Sequence, residues 1–179
     1  MVNKMALIPC RECEKKVSDQ AMACPECGAP FPAREEWKGP GFEWKSRRTY
    51  YGYPLVHIAF GRNEKGKRRV AKGFIAIGQF AIGVITVAQF GIGLLFGFGQ
   101  FIFGTVVIAQ VALAFLFGCG QFATGVVAVG QIVLAYYALA QAGLAKYLWS
   151  STRKDPEAAE FFCRLAEKIG LSVSKYFTK

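Results

Sequence analysis

Residues 73–145 read GFIAIGQFAIGVITVAQFGIGLLFGFGQFIFGTVVIAQVALAFLFGCGQFATGVVAVGQIVLAYYALAQAGLA. These 73 residues contain no Asp, Glu, Lys, Arg or His, and their polar side chains are seven Gln, three Thr and two Tyr. The glutamines fall at Gln79, Gln89, Gln100, Gln110, Gln121, Gln131 and Gln141, ten or eleven apart. Small residues follow a finer grid: Gly73, Gly78, Gly83, Ala88 and Gly93, then Gly99, Gly104, Ala109 and Ala114, then Gly120, Gly125, Gly130, Ala135, Ala140 and Ala145. The step is five, with one extra residue after Gly93 and after Ala114. A period this regular is weighed before any other feature of the chain.

An uncharged run longer than about 18 residues is ordinarily a membrane helix. The glutamine spacing alone also suits a helix. The small-residue grid does not. At about 100° per residue, a five-residue step turns a helix by roughly 140°, which scatters the small residues around it instead of forming a close-packing face. Each of the thirteen glycines would cost a helix about 1 kcal/mol relative to Ala. Val, Ile, Phe and Tyr fill most of the remaining positions and favour strands.

A five-residue side that starts with a small residue fits a β-solenoid, in which the small residue lets the chain turn a corner. Three sides of five and one of six make a coil of about 21 residues. On that coil Gln79, Gln100 and Gln121 stack on one side and Gln89, Gln110 and Gln131 on the opposite one, and stacked amides can bond along a ladder. GQFAI (78–82), AQFGI (88–92) and GQFAT (120–124) resemble the pentapeptide-repeat solenoids, whose pattern is a small residue, a short polar residue, Leu or Phe, then two variable residues. Here Gln stands where that family has Asp or Asn, only every second pentad carries it, and the variable positions are apolar. The resemblance implies an architecture and no activity. With the first and third positions of each pentad inward, the outer wall is apolar apart from the glutamine rows. Such a wall must meet lipid, other copies of the chain or another protein. The remaining alternatives for the run are helical spans or another β form.

The formal net charge of +10 is carried outside the run: residues 1–72 hold 15 Lys or Arg against 8 Asp or Glu, and residues 146–179 hold 7 against 4. Basic flanks around an apolar centre suit an anionic cytoplasmic leaflet. Nucleic acid is the other usual partner of a basic balance, but no compact basic helix or reader motif is present, so none is expected. No secretory pattern is visible between Met1 and Cys10.

Cys10, Cys13, Cys24 and Cys27 form two CxxC pairs separated by ten residues. Each pair offers two thiolates on one tight turn, and two pairs close a tetrahedral S₄ site around Zn²⁺. The segment IPCRECEKKVSDQAMACPECGAPF (8–31) resembles the short zinc-ribbon modules at bacterial protein N-termini, including those of membrane proteins, with Arg11 where Pro is frequent. One structural zinc is expected, holding together about 25 residues too few to bury a core. Disulfides are disfavoured in a chain that shows no export pattern.

The expected organisation is mainly β: a zinc ribbon over 1–32, an aromatic and basic linker over 33–54, the apolar repeat domain over 55–145, and a C-terminal amphipathic helix cap over 146–179. In the linker, Trp37, Trp44, Tyr50 and Tyr51 alternate with Arg47 and Arg48, a mixture typical of a membrane interface. Leu55–Phe60 and 67–72 read as a hairpin capping the first coil. PLVHIAFG (54–61) with AKGFIAIG (71–78) looks like the opening segment of uncharacterised bacterial proteins with glycine-rich apolar repeats. His57, the only histidine, has no acid or nucleophile at readable spacing and is expected to be packed. Asp155-Pro156-Glu157 opens a helix whose apolar face is Ala158, Phe161, Phe162, Leu165 and Ile169, ended by Gly170.

No nucleophile–base pair, carboxylate dyad, phosphate loop or open metal site appears, and the repeat run cannot host ordinary acid–base chemistry. The expectation is a non-enzymatic scaffold without a small-molecule substrate. It would sit at the bacterial inner membrane or self-assemble, and present its zinc ribbon to a protein partner on the cytoplasmic side. The alternative is a helical integral membrane protein whose ribbon recruits that partner.

Overall fold

The structure is a computed structural model that describes residues 6–34, 39–168 and 170. It is mainly β, with one helix near the C-terminus, and it divides into two compact units: Met1–Gly41 with Arg62–Lys67, and Phe42–Gly61 with Arg68–Lys179.

In the first unit, β1 (Leu7–Pro9) and β2 (Lys16–Ser18) pair antiparallel, with Ile8 opposite Val17. Among the described residues, the hydrophobic cluster of this unit is Cys10, Val17, Cys24 and Ala29, with Pro32 also buried, a core too small to hold a fold by apolar burial alone.

The second unit contains β3 (Gly41–Lys45, its first residue in the other unit), β4 (Thr49–Tyr50), β5 (Tyr53–Pro54), β6 (Val56–Gly61) and the continuous extended run β7 (Val70–Trp149), followed by α1 (Pro156–Lys168). The second half of the expected linker is therefore strand. β3 lies beside β6 in a sheet of order β3-β6-β7, and β4 and β5 form a hairpin. That hairpin turns through Tyr51 (φ 48°) and Gly52 (φ 79°), the paired left-handed residues of a two-residue loop. β6 runs parallel to β7, with Val56 opposite Ile75 and Ala59 opposite Gly78. It is thus a first pass of the repeat rather than one arm of a capping hairpin.

The β7 run cannot be straight, because residues ten or eleven apart touch. The rings of Phe80 and Phe90 stack at 5.6 Å, those of Phe90 and Phe101 at 6.1 Å, and those of Tyr137 and Tyr147 at 5.0 Å. The Thr124 hydroxyl lies 3.1 Å from the Ala114 N–H, and the Thr105 hydroxyl bonds the Leu94 carbonyl. Eleven residues of straight strand would separate such groups by about 36 Å. The chain therefore folds back once per two pentads, which corrects the expected 21-residue coil to half that length. The side chains explain the shorter circuit. Buried residues include Ala76, Ala81, Ala88, Ala109, Ala112, Ala123, Ala128 and Ala138, with Ile102, Val107 and Val133 the largest of those wholly buried. Side chains of this size fill a bore only when two sides face each other directly, as Gly97 does with Ile102 five residues on; four such sides would enclose a void.

The inward positions are also corrected. Reading pentads from Gly78, the first and fourth positions are buried (Gly78 and Ala81, Gly83 and Thr86, Gly104 and Val107), whereas Phe90, Phe101 and Phe122 at the third position are exposed. Alternation within a strand puts positions four and one of adjacent pentads on the same side, with position five outward between them. Positions two and three then both face outward where the chain bends. Three of every five positions thus form the outer wall, which includes Ile85, Leu94, Leu95, Phe98, Leu116 and Leu134.

Beyond β7, Ser150 accepts the Arg153 N–H at its hydroxyl and donates its own N–H to the Arg153 carbonyl, turning the chain into α1. The Asp155 carbonyl accepts the Ala159 N–H, as expected of a helix start, while its carboxylate accepts the Leu148 N–H at 2.8 Å. Asp155 thus starts α1 through its carbonyl and ties it to the end of β7 through its carboxylate. Ala158 and Phe162 are buried, and Phe161 stacks on Tyr137 at 4.4 Å. Ile169 lies outside the described residues. Gly170 has φ 80°, the left-handed conformation of a helix-ending glycine.

Candidate metal centre

The two CxxC pairs sit on two turns built alike. In the first, the Cys10 N–H bonds the Lys15 carbonyl (2.8 Å) and the Glu14 N–H bonds the Cys10 carbonyl (2.9 Å). In the second, the Cys24 N–H bonds the Ala29 carbonyl (2.9 Å) and the Gly28 N–H bonds the Cys24 carbonyl (2.9 Å). The fifth residue of each turn is left-handed, Glu14 at φ 61° and Gly28 at φ 73°. Arg11 ties the first turn to the segment after the second. Its Nη1 donates to the Phe31 carbonyl at 3.0 Å and its backbone N–H donates to the Pro32 carbonyl.

These turns bring the four Sγ atoms within 4.8 Å of one another. Cys10 and Cys27 are 3.7 Å apart and Cys13 and Cys24 are 3.6 Å apart. A tetrahedron with metal–sulfur bonds of about 2.3 Å has edges of about 3.8 Å, so the donor set fits a tetrahedral thiolate-bound ion. The separations are far beyond a disulfide bond of about 2.05 Å.

The thiols differ electrostatically. Backbone N–H groups of Cys13 and Glu12 hold the Cys10 thiol below its ordinary value, and those of Cys27 and Glu26 pull Cys24 down to about 7. At Cys13 the Lys15 N–H acts downward, but burial and the neighbouring sulfurs outweigh it and push the thiol up to about 12. At Cys27 the Ala29 N–H likewise pulls down, and burial with Cys24 and Cys10 carries it upward. The first cysteine of each pair thus ionises more readily than an ordinary thiol, whereas the second resists ionisation beside it. A divalent cation among the four sulfurs removes that conflict.

The other expected site residues are dispersed. Trp37 lies outside the described residues. Trp44 is on β3, Arg47 and Arg48 precede β4, and Tyr50 and Tyr51 are on the β4–β5 hairpin, all exposed. The Tyr50 ring meets Phe74 edge-on at 5.1 Å, which joins the hairpin to the repeat wall. The glutamines do not form two opposed ladders. Gln110, Gln121 and Gln131 line one surface depression together with Cys119, as a circuit of two pentads requires. No hydrogen bond joins glutamine side chains among the described residues.

His57 is buried, as expected, but it has an acid partner that its sequence context conceals. Its Nδ1 accepts the Lys72 N–H at 2.8 Å, which leaves the proton on Nε2 to be donated to Glu43 at 3.2 Å. Glu43 also pairs with Lys45 at 2.8 Å and with Arg69. The Lys45 ammonium holds the Glu43 carboxyl below the ordinary carboxylate range, with Arg69 and His57 adding to it against the effect of burial. With both ring nitrogens engaged, His57 locks β3, β6 and the start of β7 together. Its partner is fourteen residues away and only the pairing of β3 with β6 brings it near.

No family model matches the chain, and no curated protein or solved structure matches it.

Proposed function

We propose that the protein is a non-enzymatic scaffold. In this reading one structural Zn²⁺ is bound by Cys10, Cys13, Cys24 and Cys27, and the repeat run is a two-sided β-solenoid that embeds in the bacterial inner membrane or associates with its own copies. The zinc ribbon is then presented on the cytoplasmic side to a protein partner. The observation that carries the reading is the outer wall: Leu94, Leu95, Phe98, Phe115, Leu116 and Leu134 are each more than half exposed, within a run without one charged side chain. Isolated soluble chains rarely carry such a surface.

Several observations favour zinc and a structural role. Four protein thiolates complete a tetrahedron and leave no position for a substrate or reactive water. Zinc suits an all-thiolate tetrahedron and is the commonest ion to hold a fold in this way. The helical alternative loses its basis, because 73–145 is strand throughout and no helix among the described residues is long and apolar enough to cross a membrane.

The test is separation of membrane and cytosolic fractions, followed by sedimentation without detergent and metal analysis. Recovery with membranes, or as large assemblies, with one zinc per chain is the expected result. A stable species of the mass of one chain, 19.6 kDa, free of lipid and partner, would overturn it.

A further inference from the structure

We infer that the groove beside the β4–β5 hairpin is a binding site for one anionic phospholipid, its phosphate at Lys72 and an acyl chain along Phe74, Ile82 and Leu94. The inference rests on the membrane form of the reading above and names the lipid class and residues through which it would act.

The groove has a volume of about 420 Å³ and is lined by Tyr51 and Tyr53 of the hairpin, by Lys72, and by Phe74, Ile82 and Leu94 of the repeat wall. That volume lies within the range of about 300–1,000 Å³ occupied by small-ligand sites. Its long apolar side chains offer nothing to a polar ligand, and its one cation is Lys72. The Lys72 side chain has no acidic partner among the described residues. Lys72 also lines a second, polar depression of about 450 Å³ with Lys45, Ser46, Thr49 and His57. It therefore stands where an apolar groove adjoins a polar one. The only carboxylate lining the polar depression, Glu43, is already engaged by Lys45, Arg69 and His57. The two lysines that line this end, Lys45 and Lys72, against this one anion leave it positively charged, complementary to a phosphodiester. The tyrosines supply the amphipathic rings that favour the headgroup level. A free phosphate would satisfy the cationic end alone, a neutral lipid the apolar groove alone; an anionic lipid satisfies both.

The experiment uses the full chain in neutral-detergent micelles, titrated with phosphatidylglycerol, with phosphatidylcholine of the same acyl chains, and with inorganic phosphate. Native mass spectrometry reads lipid retained per chain. One phosphatidylglycerol should bind in preference to phosphatidylcholine. Lys72→Ala should weaken that binding about five-fold, the effect of one cation near an anionic surface, and leave phosphatidylcholine unchanged. Leu94→Asp should weaken both lipids. Lys154→Ala, an equal loss of charge at an exposed residue before α1, should weaken neither. The fold survives Lys72→Ala because the backbone N–H of Lys72, not its side chain, holds His57; circular dichroism checks this. Equal affinity for the two lipids, no effect of Lys72→Ala, an equal effect of Lys154→Ala, or displacement of the lipid by inorganic phosphate would each overturn the site. A chain that enters membranes yet shows no effect of Lys72→Ala overturns only this inference. One that stays soluble and monomeric overturns the reading beneath it.

Discussion

Glu14 and Gly28 occupy the same place in the two cysteine turns, each donating its N–H to the carbonyl of the first cysteine of its pair and each in the left-handed conformation. Glycine adopts that conformation freely, whereas a residue with a Cβ is held there at a cost of about 1–2 kcal/mol. Nothing lies within 4 Å of a Cβ built on Gly28, so backbone strain is the only penalty there. Gly28→Ala should therefore lower the stability of the metal-bound module by about 1 kcal/mol. Glu14→Gly should be neutral or slightly stabilising, since relief of strain opposes the added chain entropy. Chelator challenge of the full chain, followed by release of metal, ranks the variants; equal loss in both would mean the turns are not equivalent.

Removal of one thiol tests the centre directly. Cys13→Ser should lose the ion and unfold the first unit, whose apolar core is too small to stand alone. The second unit keeps its own core and should keep its β spectrum. Metal analysis and circular dichroism of the same sample decide the matter: full occupancy in Cys13→Ser would exclude the four-thiolate assignment.

The repeat interior predicts unequal tolerance along one circuit. A Cβ on Gly104 would lie far inside van der Waals contact distance of the Gly93 carbonyl oxygen, eleven residues back, and a backbone atom cannot turn aside. Gly104→Ala should thus cost several kcal/mol. Ala112 is fully buried at a fourth position, so Ala112→Leu also overpacks the bore, at about 1–3 kcal/mol or more. Ile108→Ala, on the wall and 39% exposed, should cost under about 1 kcal/mol in folding. Thermal melts in one lipid or detergent give the order; similar midpoints for Gly104→Ala and Ile108→Ala would refute the circuit.

Acid should weaken the β3–β6–β7 junction. Glu43 is ionised more readily in the folded chain, chiefly through Lys45. Its contribution is therefore complete above the unfolded carboxylate value of about 4.3 and disappears as pH falls through the lower, folded value. Glu43→Gln should lower stability by about 1 kcal/mol at neutral pH, the scale of a partly exposed charged network. The gap between wild type and Glu43→Gln should then close on acidification. Melting midpoints between pH 7 and pH 3 test the sign, and a gap that widens toward low pH would contradict it.

The double CxxC spacing reveals the metal centre because its ligands are local in sequence. The five-residue grid likewise exposes the strand character of 73–145. It does not reveal how many sides close a circuit, since Gly93 and Gly104 are on the grid equally for circuits of ten, eleven or twenty-one residues. The fourth-position residues carry that information: Ala81, Ala112, Ala123 and Ala138 are buried and too short to fill a four-sided bore. A reading that turns Phe80 and Phe101 inward at the third position hides their burial. The Glu43–His57 bond is beyond reach because it depends on β3 lying beside β6, a pairing with no local pattern. A basic and aromatic composition suggests a linker over 33–54, but strand pairing places Trp44 on β3 and Tyr50 in a hairpin.

The outer wall should govern solubility while contributing little to the fold. Leu94, Leu116 and Leu134 are 68%, 55% and 53% exposed, so changing all three to Lys removes little packing. At about 25 cal/mol per Å², even about 1,000 Å² of covered apolar wall is worth on the order of 25 kcal/mol before association costs, more than the whole stability of a typical domain. Three positive charges at the bilayer midplane would each oppose insertion by about 2–4 kcal/mol, and on a self-associating face they would repel their copies. The triple variant should therefore shift from membrane or assembly fractions toward small soluble species while retaining its β spectrum. Ile102→Lys, inside the bore and wholly buried, should instead unfold the repeat. Sedimentation without detergent, read with circular dichroism, separates the two outcomes. If the triple variant sediments with membranes as the wild type does, the wall formed by these three leucines is not the surface that lipid or other copies cover.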